Sequence, residues 1–101
     1  MNKPNPILDK SFVFSKKIVR LYSVLIDQYK MYDLGRQILR SGNSIRANAQ
    51  EAVAGISKKD FKAMFGISLK EARETEYWLR LLHETDFIPN EEFNDLYRDI
   101  V

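Results

Sequence analysis

The chain is 101 residues long, 45% hydrophobic and 30% charged, with a formal net charge of +2, which suits one small domain, 1–101, around a single core. It has no cysteine and one histidine, His83, which excludes a disulfide scaffold, thiol redox chemistry and any thiolate or multi-histidine metal site. No apolar run approaches the roughly 20 residues of a membrane helix, and residues 1–10 read as an N-terminal arm without the apolar stretch of a signal peptide, so a cytoplasmic protein with no membrane partner is expected.

The first helix is predicted to start near Asp9 or Ser11, either of which can cap it. Phe14, Ile18, Leu21, Tyr22, Leu25, Ile26 and Tyr29 fall on one side of it. Phe12 and Val19 widen that arc to roughly 180°, which suggests contact with more than one neighbour. Lys16, Arg20, Ser23 and Asp27 form the wet face. The second helix is predicted from about Tyr32 to Ala54. Leu34, Ile38, Ile45, Ala49 and Ala52 keep helical register across Gly42, which favours one continuous, bent helix over a Gly-Asn turn. Gly55 ends it.

Ser57-Lys58-Lys59-Asp60 resembles a capping box and opens the third helix. Phe61, Phe65, Ser68, Ala72, Leu79 and Leu82 share one stripe to about Thr85. A tight connection over Asp86 to Pro89 follows. Asn90 is expected to cap a short last helix docked by Phe93, Leu96, Tyr97 and Ile100, with Glu91 and Glu92 favourable in its first turn. The pattern is all-α: an antiparallel up-down four-helix bundle of three long helices and a short C-terminal one.

Catalytic and cofactor signatures are sparse. The four glycines are isolated, so no phosphate-cradling loop is read. Glu51, Glu71 and Glu74 could in principle hold a divalent ion inside a bundle. The di-iron pattern, however, needs two Glu-x-x-His motifs, and one histidine cannot supply them. His83, near the end of the third helix, is read as a dipole partner or a packed polar tip. No enzyme activity, metal or cofactor is expected.

Three constellations carry information. On the second helix, Gln37, Ser41, Ser44, Asn48 and Glu51 step by four and three residues into a polar seam. Small and amide side chains there suit close helix approach with buried hydrogen bonds to the first or third helix or to another subunit. On the third helix, Ile67, Trp78 and Leu81 point roughly 140–160° away from the core stripe. Such an outward apolar patch marks a self-association surface, unless the last helix or the N-terminal arm covers it.

The third constellation is basic. Residues 1–46 hold nine Lys/Arg against three acids, a balance of +6, whereas residues 47–101 hold seven against eleven, a balance of −4. Lys16, Lys17, Arg20, Arg36, Arg40 and Arg46 recur at helical spacing on the first two helices. They are the candidate phosphate contacts for RNA or DNA. The basic half can equally pair with acids of the same chain or of a neighbouring copy.

The stretch Leu39-Arg40-Ser41-Gly42-Asn43-Ser44-Ile45-Arg46-Ala47-Asn48, with Glu51-Ala52 and Gly55, resembles the second-helix signature of the small bacterial four-helix bundle proteins known as ribosomal RNA intervening-sequence proteins. Ser57 to Phe61 and Leu69 through Leu79 resemble their third helix, and Phe12 their first-helix aromatic. Many members have Gly-Ser where this chain has Lys70-Glu71. The resemblance implies a ring-like homopentamer without enzyme activity. The chain is also similar to the accessory protein of diversity-generating retroelements, which implies nucleic acid and a reverse transcriptase or other protein as partners. A protein-interaction scaffold without nucleic-acid binding is the alternative.

Overall fold

The computed structural model describes residues 5–55 and 57–100. Within them the chain forms α1 (Pro6–Tyr29), α2 (Tyr32–Ala54), α3 (Lys58–Glu84) and α4 (Asn90–Ile100) and no strand. The helices run alternately up and down, and neighbours in the sequence pack side by side. α4 closes the ring by lying between α3 and α1.

Each boundary has a local cause. α1 begins earlier than the expected start near Asp9 or Ser11, because Asn5 and Pro6 supply a start signal of their own. The Asn5 side chain accepts from the Ile7 and Leu8 amides at 3.1 and 3.3 Å. Pro6 fills the first turn, where a missing N–H costs nothing. Residues 6–10 of the expected arm are therefore helical, and residues 1–4 lie outside the described residues. α1 ends at Lys30, whose φ of 56° is left-handed. There the Lys30 and Met31 amides donate back to Ile26 and Leu25, one residue further back along the helix than in the usual left-handed helix stop. After α3 a second left-handed residue, Asp86, φ 68°, makes the regular form of that stop, with the Asp86 and Phe87 amides donating to His83 and Leu82. Ser57 caps α3 as expected, accepting from the Asp60 amide at 3.1 Å. Asn90 is the first residue of α4 rather than its cap, and its amide oxygen lies 2.6 Å from His83 Nε2.

α2 passes through Gly42-Asn43 without a break. Asn43 donates its side-chain N–H to the Leu39 carbonyl at 2.9 Å, so it serves the helix instead of opening a turn. Gly42 is there for space. A Cβ at Gly42 would stand 2.8 Å from Ile18 Cγ2 and 2.9 Å from Cγ1. Gly35, Gly42 and Ala49, seven residues apart, are all buried and bring α2 against α1. Phe14, Ile18, Leu21 and Leu25 of α1, Ile38 of α2, Leu79 and Leu82 of α3, Ile88 of the last loop and Leu96 of α4 form one continuous core.

α4 is short. Its 11 residues span about 16 Å, against about 40 Å for α3. It covers the cleft between α1 and α3 only at the end near the two left-handed turns, called the upper end below.

The fit at Gly42 is testable against a glycine with room. Gly66 is exposed and has nothing within 4 Å of a built Cβ. Gly66→Ala should raise unfolding free energy by about 0.5–1 kcal/mol in urea titrations, the cost of glycine in a helix interior. Gly42→Ala should lower it, because overpacking costs about 1–3 kcal/mol and outweighs the same propensity gain. Equal gains at both positions would show that Ile18 yields.

Candidate nucleic-acid interface

The six basic residues singled out from the sequence separate into two groups. Three are engaged by carboxylates of the same chain. Lys17 turns to α4, with Nζ 2.7 Å from Asp99 Oδ2 and 3.0 Å from Asp95 Oδ2. Arg36 pairs with Asp33 at 2.8 Å on its own helix. Arg40 crosses to α3, where it bonds Glu71 at 3.1 Å and also Glu74. Glu74 in turn accepts from Trp78 Nε1 at 3.0 Å. The pairing of the basic half with acids of the same chain is thus realised at Lys17 and Arg40.

The other three have no carboxylate within ion-pair distance among the described residues. Lys16 and Arg20 are exposed on the outer face of α1, one helical turn apart. Arg46 reaches from α2 to the Leu8 carbonyl of α1 at 3.0 Å and bonds Gln50. Between them stands Phe12, 53% exposed. Lys16 Nζ lies 5.2 Å and Arg46 Cζ 5.7 Å from the centre of its ring, within the range of cation–π attraction. α1 packs on two neighbours, α2 and α4, as the width of its apolar arc predicts, although Phe12 and Val19 themselves stay exposed. The i,i+4 step from Phe12 to Lys16 is legible in the sequence. The convergence of Arg46 on the same ring needs the α1–α2 packing. A cation pair flanking an exposed aromatic ring can take phosphate oxygens and present a surface for a base.

The polar seam of α2 resolves differently along its length. Ser41 is fully buried and its hydroxyl hydrogen-bonds Thr75 of α3 at 2.9 Å. Ser44 and Asn48 are half-buried and bond their own helix, at Arg40 O and Ser44 O. Gln37 is exposed and accepts from Arg40, and Glu51 is exposed. Within the chain, the expected burial against another helix therefore holds at Ser41, not at Ser44, Asn48 or Glu51. A further α2–α3 bond runs from Ser68 Oγ to Ile45 O at 2.8 Å, because α2 and α3 approach closely enough there for a hydroxyl to reach backbone.

The outward α3 patch is also divided. Ile67 and Leu81 are exposed, joined by Tyr77. Trp78 is not left in water: it is half-buried, packs against the core and lies beside Leu34 and Gln37. The α2–α3 seam captures the ring through Glu74 and turns it from the outward direction expected of it. His83 stacks on Phe93 at 4.1 Å, 8° from parallel, and so docks α4. Among the described residues no helix is long and apolar enough to cross a membrane.

Comparison with known proteins agrees with this architecture. The family model of the 23S rRNA-intervening sequence protein matches residues 3–101. Among solved structures, the chain is similar to a protein of unknown function from the S23 ribosomal protein family of Bacteroides thetaiotaomicron VPI-5482. The TM-score is 0.90 and the identity 45%, over 93% of this chain and 87% of that one. No match is found among curated proteins. The chain belongs to the 23S rRNA-intervening sequence protein family.

The α4 ion pairs have a pH signature. The hydrogen bond to Asp99, then that to Asp95, holds the Lys17 ammonium above its ordinary pKa. Lys17, then Arg98, holds the Asp95 carboxyl below the usual carboxylate value. Asp95 therefore contributes fully above the ordinary Asp range and loses its contribution as pH falls through its lowered value. Lys17 contributes fully below the ordinary Lys range and loses it as pH rises through its raised value. The stability advantage of wild type over Lys17→Met should be flat between about pH 5 and 9 and shrink toward both extremes. Melting curves across pH measure it, and an advantage unchanged down to about pH 2 would show that the pairs contribute nothing.

Proposed function

We propose that the protein is a non-enzymatic, homopentameric four-helix bundle of the cytoplasm that binds nucleic acid through phosphate contacts on the α1–α2 face. The observation that carries this reading is the Phe12, Lys16, Arg20 and Arg46 cluster. It keeps its positive charge while Lys17, Arg36 and Arg40 are engaged within the chain. Five copies of a +2 chain would carry +10, and symmetry would repeat the cluster around a ring. The family resemblance supports the ring, and the exposed Ile67, Tyr77 and Leu81 supply an apolar surface for it. The non-enzymatic reading is supported by where the reactive groups are spent. Glu71 and Glu74 hold Arg40, and His83 is stacked on Phe93.

A second reading, a protein-interaction scaffold without nucleic acid, is favoured by the same ion pairs, since half of the expected phosphate contacts already have acidic partners. Binding titrations with RNA and DNA at several salt concentrations separate the two. Removing one cation that touches a phosphate flattens the log–log salt slope by about 0.7–0.9. Lys16→Ala, Arg20→Ala and Arg46→Ala should each do so and weaken binding for all sequences alike, whereas Arg36→Ala should leave the slope near wild type. No binding of single- or double-stranded RNA or DNA at about 50 mM salt would leave the scaffold reading in place.

Assembly is checked separately by light scattering. Ile67→Glu and Leu81→Glu place charge on the outward α3 face and should lower the particle mass with helicity retained, since neither residue is in the core. A wild type that is monomeric at micromolar concentration would overturn the pentamer.

A further inference from the structure

Below the end of α4 the cleft between α1 and α3 stays open among the described residues. It forms a groove of about 320 Å³ whose floor includes Phe14, Ile45, Phe65, Leu69 and Ala72. Ile7 and Leu69 are 51% and 52% exposed, and Phe61, stacked on Phe65, is 43% exposed. The groove is therefore an apolar seat that none of the described residues fills. Its length, from Ile7 to Phe14 on one wall and Phe61 to Leu69 on the other, is roughly 10–12 Å, or about two helical turns.

Positive charge predominates along this seat. Lys10 lines the groove on the α1 side. On α3, Lys58, Lys62, Phe65 and Leu69 step by four, three and four residues, so the two lysines stand on the same side as the apolar floor. None of these three lysines has a carboxylate within ion-pair distance among the described residues. Asp99 lies at the upper edge but is held by Lys17 at 2.7 Å. Arg73, at the same edge, pairs with Glu76 and donates to the Ile100 carbonyl.

The upper half of the same cleft shows which helix this seat accepts. α4 fills it with Phe93, Leu96 and Ile100 packed against the core. It sets Asp95 and Asp99 against Lys17. We infer that the lower groove docks a short acidic amphipathic helix of a partner protein, placed end to end with α4, with apolar residues on Phe65 and Leu69 and carboxylates toward Lys10, Lys58 and Lys62. Complementary charge fixes the orientation and discriminates among apolar helices. The inference does not depend on nucleic-acid binding, which uses the opposite side of α1.

The test is fluorescence anisotropy with the full chain and a labelled, helix-stapled peptide of the α4 sequence, residues 90–100, as the acidic amphipathic probe. A peptide with its acids replaced by lysine is the control. Saturable binding of the acidic probe that weakens as salt rises is expected, with the control at least about tenfold weaker. Leu69→Asn, outside the α4 seat, should weaken the probe about tenfold, as removal of a central apolar anchor does. Lys62→Glu should weaken the probe and strengthen the control. Equal binding of the two peptides, or binding indifferent to Leu69→Asn, would overturn the inference. So would a drop in particle mass for Leu69→Asn in light scattering, because the groove would then be occupied by a second copy of the chain.

Discussion

The closeness of α2 to both of its neighbours is the constraint on which the bundle depends. On one side Gly42 lets Ile18 sit against the α2 backbone, where a methyl group would overlap it at 2.8 Å. On the other side the Ser41 and Thr75 hydroxyls meet at 2.9 Å with both residues fully buried, and Ser68 reaches the Ile45 carbonyl. These contacts fix the axial register of three helices. An apolar stripe alone would let helices slide by a turn. A buried hydroxyl pair penalises such a slip, because each unpaired hydroxyl would cost about 1–3 kcal/mol.

With the register set, charge is distributed by geometry rather than by composition. The excess of basic residues in the first half meets the acids of the second half at Lys17 and Arg40. These pairs are partly exposed, and pairs of that kind add little to stability. Their larger effect is to decide where positive potential remains. With Lys17 and Arg40 paired, Lys16 and Arg46 flank Phe12 without a carboxylate partner among the described residues, and Arg20 follows one turn along α1.

Much of the fold is legible in the residues. The seven-residue step from Ile38 to Ile45 carries α2 through Gly42, and Ser57 with Asp60 marks the start of α3. Asn5-Pro6 is an equally plain helix start, masked because a Pro-rich segment reads first as an arm. The limits appear where two helices must be placed together. Trp78 belongs to the outer face by angle, yet Glu74 and Leu34 draw it into the α2–α3 seam. Ser44 and Asn48 satisfy their polar groups on their own backbone, an option that spacing does not distinguish from bonding across helices. The candidate basic face is half legible: the residue types are visible, and so is the Asp33–Arg36 step, but the pairing of Lys17 and Arg40 depends on partners 31 to 82 positions away in sequence.

The surfaces left free do not compete for the same side chains. On α1, Phe12, Lys16 and Arg20 lie roughly 160–240° around the helix from Phe14, which floors the lower groove. On α3, Ile67 and Leu81 lie about 120–200° from Phe65 and Leu69. A helix in the groove would leave the Phe12 cluster and the outward α3 face uncovered. The short α4 is what makes this separation available. A fourth helix as long as α3 would fill the α1–α3 cleft from end to end and bury the groove in the core. Among the described residues α4 secures the upper half through Leu96 and the Lys17 pairs, and the groove below it stays clear of both other surfaces.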